Sequence, residues 1–102
     1  MKPKDFQSIV GNLRYDTTKS ILLAGDDIKR GRQYENEDNS QNFLYRSANG
    51  RYFKIAQIAQ VGGPRLRLVP LTTDEALGAW GAMENRRVEF ETAFPGVEIL
   101  DA

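Results

Sequence analysis

The dipeptide Asn49-Gly50 constrains this chain more than any other feature, because it stands between two β-favouring runs, residues 43–47 and 51–57. A two-residue hairpin turn needs left-handed backbone at its central positions, which Asn and Gly adopt cheaply, so the two runs are expected to fold back on each other as antiparallel strands. If Asn49 and Gly50 are the central pair, Arg46 faces Phe53, Tyr45 faces Lys54, Leu44 faces Ile55 and Phe43 faces Ala56. Side chains alternate across a sheet. One side then carries Leu44, Arg46, Phe53 and Ile55, and the other carries Phe43, Tyr45, Tyr52 and Lys54.

A second turn at Gly62-Gly63 leads into "RLRLVPL", where leucines and arginines alternate. Centred on the two glycines, that turn pairs Leu68 with Gln57 and puts Leu66 and Leu68 on the Leu44, Phe53 and Ile55 side. Arg65 and Arg67 join Tyr45, Tyr52 and Lys54. The pattern predicts an aliphatic side for a core and an aromatic-basic side for something wetter. It depends on register, since a slip of one residue turns a strand over.

Elsewhere the elements are simpler. "YDTTKSILLAG" is a β-favouring run stopped by Gly25 and supplies a first strand. Residues 26–41 are polar, with Ile28 and Tyr34 as the only sizeable apolar groups before the hairpin, and are expected to form a long surface loop. Residues 1–13 carry no predicted element and are expected to be flexible. Thr72 followed three positions later by Glu75 is a capping box, and Ala76, Leu77, Trp80 and Met83 recur at helical spacing behind it. That helix is expected across the aliphatic side, with Gly78 and Gly81 tolerated through close approach to the sheet. Residues 88–100 fit either a strand or a helical turn before Pro95-Gly96. The sum is one α+β domain over residues 1–102: an antiparallel sheet of about four strands with one helix packed on one face.

Three phrases, "RYDTTKSILLA", "FLYRSANGRYF" with "PLTTDEA" behind it, and "AFPGVEILDA", resemble small uncharacterised bacterial and phage proteins. Those proteins share a Tyr-Asp-Thr first strand, a Leu-Tyr-Arg hairpin ending in Gly-x-Tyr-Phe and a Pro-Leu-Thr helix start. The likeness runs from about Arg14 to Ala102. It implies the fold and a bacterial or mobile-element setting, and it carries over no catalytic residue.

Composition narrows the chemistry. The 102 residues contain neither Cys nor His, which removes thiolate nucleophiles, the usual neutral-pH general base and the common transition-metal ligands. No apolar run approaches the roughly 20 residues that span a bilayer, and no signal-peptide core follows the first lysines, so a cytoplasmic address and no membrane partner are expected. No cofactor or metal is expected, and catalysis is not. Tyr15-Asp16 and Glu89/Glu91 are the only pairs that suggest acid-base groups, and their spacing singles out neither. The acids Asp26, Asp27, Glu35, Glu37 and Asp38 are interleaved with Lys29, Arg30 and Arg32, which reads as a solvated loop rather than a cation site.

Charge is segregated. The totals balance at 14 basic and 14 acidic residues, yet residues 41–71 hold Arg46, Arg51, Lys54, Arg65 and Arg67 with no acid. Residues 72–102 hold seven acids against Arg86 and Arg87. Phe43, Tyr45, Tyr52, Lys54, Arg65 and Arg67 are therefore the candidate site. Rings and cations on an open sheet suit a protein interface, in a module that binds a host protein or self-associates as a homodimer. They also suit single-stranded nucleic acid, where rings stack on bases and cations hold phosphates. The zero net charge works against the second reading.

Overall fold

The computed structural model describes residues 5–26, 40–58, 61–63 and 65–101. It is α+β and antiparallel throughout. Strands β1 (Gln7–Val10) and β2 (Leu13–Asp16) form a two-stranded sheet. Strands β3 (Ser20–Gly25), β4 (Ser40–Ser47), β5 (Tyr52–Ile58), β6 (Arg65–Leu71) and β7 (Asn85–Arg86) form a five-stranded sheet in the order β6-β5-β4-β3-β7. Helix α1 (Thr73–Ala82) follows β6, and the short helix α2 (Phe90–Ala93) follows β7.

The run expected to be one strand divides in two. Asp16 ends β2 and accepts from the Thr18 backbone N–H at 2.9 Å and its hydroxyl at 2.7 Å, capping a 3-10 turn at Thr17–Lys19 that breaks the extended backbone. The chain thus leaves the small sheet and enters the large one. Thr17 anchors the crossing: its N–H donates to the Phe6 carbonyl at 2.9 Å, and its hydroxyl oxygen accepts from the Phe6 N–H at 2.8 Å. Residues 7–13, expected to be flexible, instead form the β1–β2 hairpin around Gly11, whose φ is 64°. Residues 27–39 of the expected loop lie outside the described residues, but Gln41 already belongs to β4.

The capping box forms as expected, with the Thr72 N–H donating to Glu75 Oε1 at 2.8 Å and the Glu75 N–H to Thr72 Oγ1 at 3.1 Å. Among the alternatives for residues 88–100, residues 90–93 are helical and residues 97–100 belong to no strand or helix. Gly78 and Gly81 face outward rather than onto the sheet, and a Cβ added at either meets no atom within 4 Å.

Register is where the expectation fails. The Gly50 N–H donates to the Ser47 carbonyl at 2.9 Å and the Ser47 N–H donates to the Arg51 carbonyl at 2.8 Å, so the β4–β5 loop is three residues long and turns around Ala48-Asn49. Gly50, with φ 84°, is the left-handed residue that follows the turn, as in a hairpin closed by a glycine bulge. Pairing therefore shifts by one: Arg46 faces Tyr52, Tyr45 faces Phe53, Leu44 faces Lys54 and Phe43 faces Ile55. Every residue of β4 joins the opposite set from the one expected. The β5–β6 pairing is displaced by two, with Ile55 facing Leu68 and Gln57 facing Leu66, which leaves its parity intact.

Both sheet faces are consequently covered over much of their area. On one lie Phe43, Tyr45, Phe53 and Ile55 with half-buried Leu22, Leu66 and Leu68, closed by Phe6, Leu13 and Tyr15 from the first hairpin and its approach. Tyr45 stacks on Phe53 at 5.2 Å between centroids, and Tyr15 meets Phe53 edge-on at 5.2 Å. The other face carries Leu23, Ala24, Leu44 and Tyr52 under Ala76, Trp80, Met83, Ala93 and Phe94. A bulge at Leu23 in β3 allows consecutive Leu23 and Ala24 both to enter that helix-side core. Leu44 does not share a layer with Ile55, Leu66 and Leu68.

Candidate interaction surface

The aromatic half of the expected site is interior. Phe43 is 0%, Tyr45 4% and Tyr52 7% exposed. The one-residue shift explains this: Phe43 and Tyr45 are carried to the Phe53 and Ile55 side, under the first hairpin, while Tyr52 stays with Lys54 but at the end covered by the helices. Tyr52 spends its hydroxyl on the Ala93 carbonyl at 2.9 Å. Burial pushes the Tyr45 hydroxyl up to about 12, reinforced by the Asp5 carboxylate and opposed by Arg87. Burial raises Tyr52 in the same direction.

The basic half stays together. Along β5, Tyr52, Lys54, Ala56 and Ile58 point to the helix side, and register sets Arg65, Arg67, Val69 and Leu71 of β6 beside them. Helix α1 packs over the end marked by Leu44, Tyr52 and Leu71. Beyond it, Asn42, Lys54, Ala56, Ile58, Arg67 and Val69 line an open pocket of about 200 Å³. Asp26 holds one wall, accepting from the Asn42 backbone N–H and from its side-chain amide, the latter at 3.1 Å. This half-face is apolar at its floor and cationic at its rim.

Sequence reasoning passed over the edge of the sheet. Among the described residues, strand β6 pairs with β5 alone, so a seven-residue strand has one side that no described strand pairs. Proline has no N–H, and Pro70 fits a strand without loss only where its nitrogen turns away from β5. Backbone groups alternate in direction along a strand, which turns the N–H and C=O of Leu66 and Leu68 to the open edge with Pro70. The signal was present: β6 is the last strand before the helix, and Pro70 marks an edge.

Other candidates are used up locally or stand alone. Tyr15 is in the core, and Asp16 is engaged by Thr18, whose hydrogen bonds hold its carboxyl below the usual range. Glu89 and Glu91 are exposed beside α2, and Glu89 makes no cap hydrogen bond there. Of the acidic loop only Asp26 is described; Asp27, Glu35, Glu37 and Asp38 lie outside the described residues. Among the described residues, no three acids gather as a metal site would require, and no helix is long and apolar enough to cross a membrane. A cleft of about 310 Å³, rimmed by Arg14, Lys19 and Arg51 and including Leu13 and Tyr15 in its lining, lies between β2, the 3-10 turn and the β4–β5 loop. No family model, curated protein or solved structure matches this chain.

Proposed function

We propose that this domain is a protein-interaction module that captures an extended segment of a partner by strand addition along β6. The observation that carries the reading is the side of β6, seven residues long, that no described strand pairs, next to a half-face that α1 leaves open. Backbone hydrogen bonds supply affinity in such complexes and alternate side chains supply selectivity. Leu66 and Leu68 offer apolar contact on one side of the edge, while Arg65, Arg67 and Lys54 offer positive charge on the other. The segment that fits alternates apolar with acidic side chains. In the bacterial or mobile-element setting that the resemblance implies, a host protein or another copy of the chain is its source. The activity is binding and not catalysis.

The single-stranded nucleic-acid reading is weaker, because its stacking platform is gone: Tyr45 and Tyr52 are buried, and the open half-face sets its cations around an aliphatic floor. One titration tests both. A labelled peptide alternating Glu with Val is expected to bind and to slow amide exchange at Leu66 and Leu68 above all, and a peptide alternating Lys with Val is expected not to bind. Retention of a labelled oligonucleotide at about 50 mM salt, lost as salt rises, with no peptide binding, overturns the proposal in favour of nucleic acid.

A further inference from the structure

Residues 97–101 pose a problem that the monomer does not solve. Val97 packs on the helix-side core, but Ile99 and Leu100 are 65% and 76% exposed in a stretch without secondary structure. Two bulky apolar side chains left in water beside two acids, Glu98 and Asp101, have the composition that the β6 edge selects. We propose, resting on the strand-addition reading above, that residues 97–101 of one copy pair with β6 of a second copy, and that reciprocal exchange of this segment makes a homodimer.

Charge weighs against the simpler dimer. Two β6 edges meeting about Arg67 set Arg67 against itself, and two meeting about Leu66 set Arg65 against Arg67, where like charges directly opposite are destabilising. Two meeting about Leu68 avoid that conflict but leave both arginines facing apolar side chains, whereas an acidic strand supplies them with partners. Five extended residues span about 16 Å, enough to follow most of β6. Run parallel to it, the segment sets Val97 beside Leu66, Glu98 beside Arg67, Ile99 beside Leu68 and Leu100 beside Val69. Apolar meets apolar and acid meets base at all four positions. The antiparallel alignment that keeps Glu98 beside Arg67 instead sets Leu100 against Arg65. The parallel alignment is therefore the one assigned, although parallel pairs are slightly less stable per residue.

The test is a charge exchange read by sedimentation equilibrium on the full chain. Wild type is expected to be dimeric. Arg67→Glu and Glu98→Arg are each expected to weaken dimerisation about tenfold or more, since each exchange of strands occurs twice in the dimer. The double variant R67E/E98R restores the pairing and is expected to return to within about threefold of wild type. Both positions are exposed, and far-ultraviolet circular dichroism confirms that each variant is folded. A wild-type dimer that neither single change weakens, or a double variant no better than the singles, overturns the segment exchange while leaving strand capture to the peptide titration. A wild type that stays monomeric at all concentrations overturns it as well.

Discussion

The Tyr52 hydroxyl donates to the Ala93 carbonyl at 2.9 Å, joining the first residue of β5 to the last residue of α2 across 41 positions of chain. Arg46, which faces Tyr52 across the strands, donates from Nη2 to the neighbouring Thr92 carbonyl at 3.0 Å. A helix end leaves its last carbonyls without partners, and here two side chains of the sheet satisfy two of them. Arg86 does the same for α1, donating to the Trp80 and Gly81 carbonyls at 3.0 and 3.2 Å. The short helix α2 thus depends on the β4–β5 hairpin for its position. Tyr52→Phe leaves the ring stacked on Phe94 and strands a buried carbonyl, so it is expected to cost about 1–2 kcal/mol of stability in urea denaturation. An unchanged midpoint would show that the bond contributes nothing.

Gly78 lies inside α1 on its exposed side, and a Cβ there meets nothing within 4 Å. Glycine in a helix interior costs roughly 0.5–1 kcal/mol relative to Ala through unfolded-state entropy. Gly78→Ala is therefore expected to stabilise the protein by about that amount and to raise the thermal midpoint. A destabilising result would mean that the outer side of α1 packs against something, which makes the substitution a probe of hidden contacts as well.

Local chemistry made some elements legible and left register obscure. The Thr72/Glu75 capping box and the Ala76/Trp80 repeat involve residues three or four apart, and α1 begins and turns its stripe inward where they place it, but it covers the Leu44, Tyr52 and Leu71 side of the sheet and not the expected side of Phe53, Ile55, Leu66 and Leu68. Asn49-Gly50 announced a turn but not its centre: a left-handed Gly50 serves equally as a central residue or as the residue after the turn. That single ambiguity parted Leu44 from Phe53 and Ile55 and brought Phe43 and Tyr45 onto their side instead. Gly11-Asn12 carried a hairpin signal as plain as Asn49-Gly50, but only two or three apolar residues flank it on each side, too few to announce a sheet. The closing of the second face by Phe6, Leu13 and Tyr15 is a long-range event with no local signature. Within the candidate site, Lys54, Arg65 and Arg67 kept their shared side because the β5–β6 displacement was an even number of residues.

The glycine at the bulge supplies a local test of that register. Gly50 has φ 84°, a conformation that places a Cβ too close to the carbonyl oxygen and costs roughly 1–2 kcal/mol for other residues. No neighbouring atom lies within 4 Å of an added Cβ, so backbone strain acts alone. Gly50→Ala is expected to lower stability by about 1 kcal/mol in denaturant titration, while nuclear Overhauser contacts between the Tyr45 and Phe53 rings persist. Their replacement by contacts between Arg46 and Phe53 would show that the hairpin had slipped to the two-residue turn.

The buried tyrosines set an alkaline limit on the fold. Tyr45 is pushed up to about 12, first by burial and then by Asp5, whereas in the unfolded chain a tyrosine ionises near 10. Below about pH 10 both states keep the proton and stability is unaffected. Between about 10 and 12 the unfolded chain gives it up and the native state retains it, so stability falls by about 1.4 kcal/mol per pH unit from this group. Tyr52, raised in the same direction, adds to the slope. Tyr45→Phe removes the ionisable hydroxyl and keeps the ring stacked on Phe53. Urea midpoints measured at about pH 9, 10 and 11 are expected to fall less steeply for the variant than for wild type, and parallel declines would assign the alkaline sensitivity to other groups.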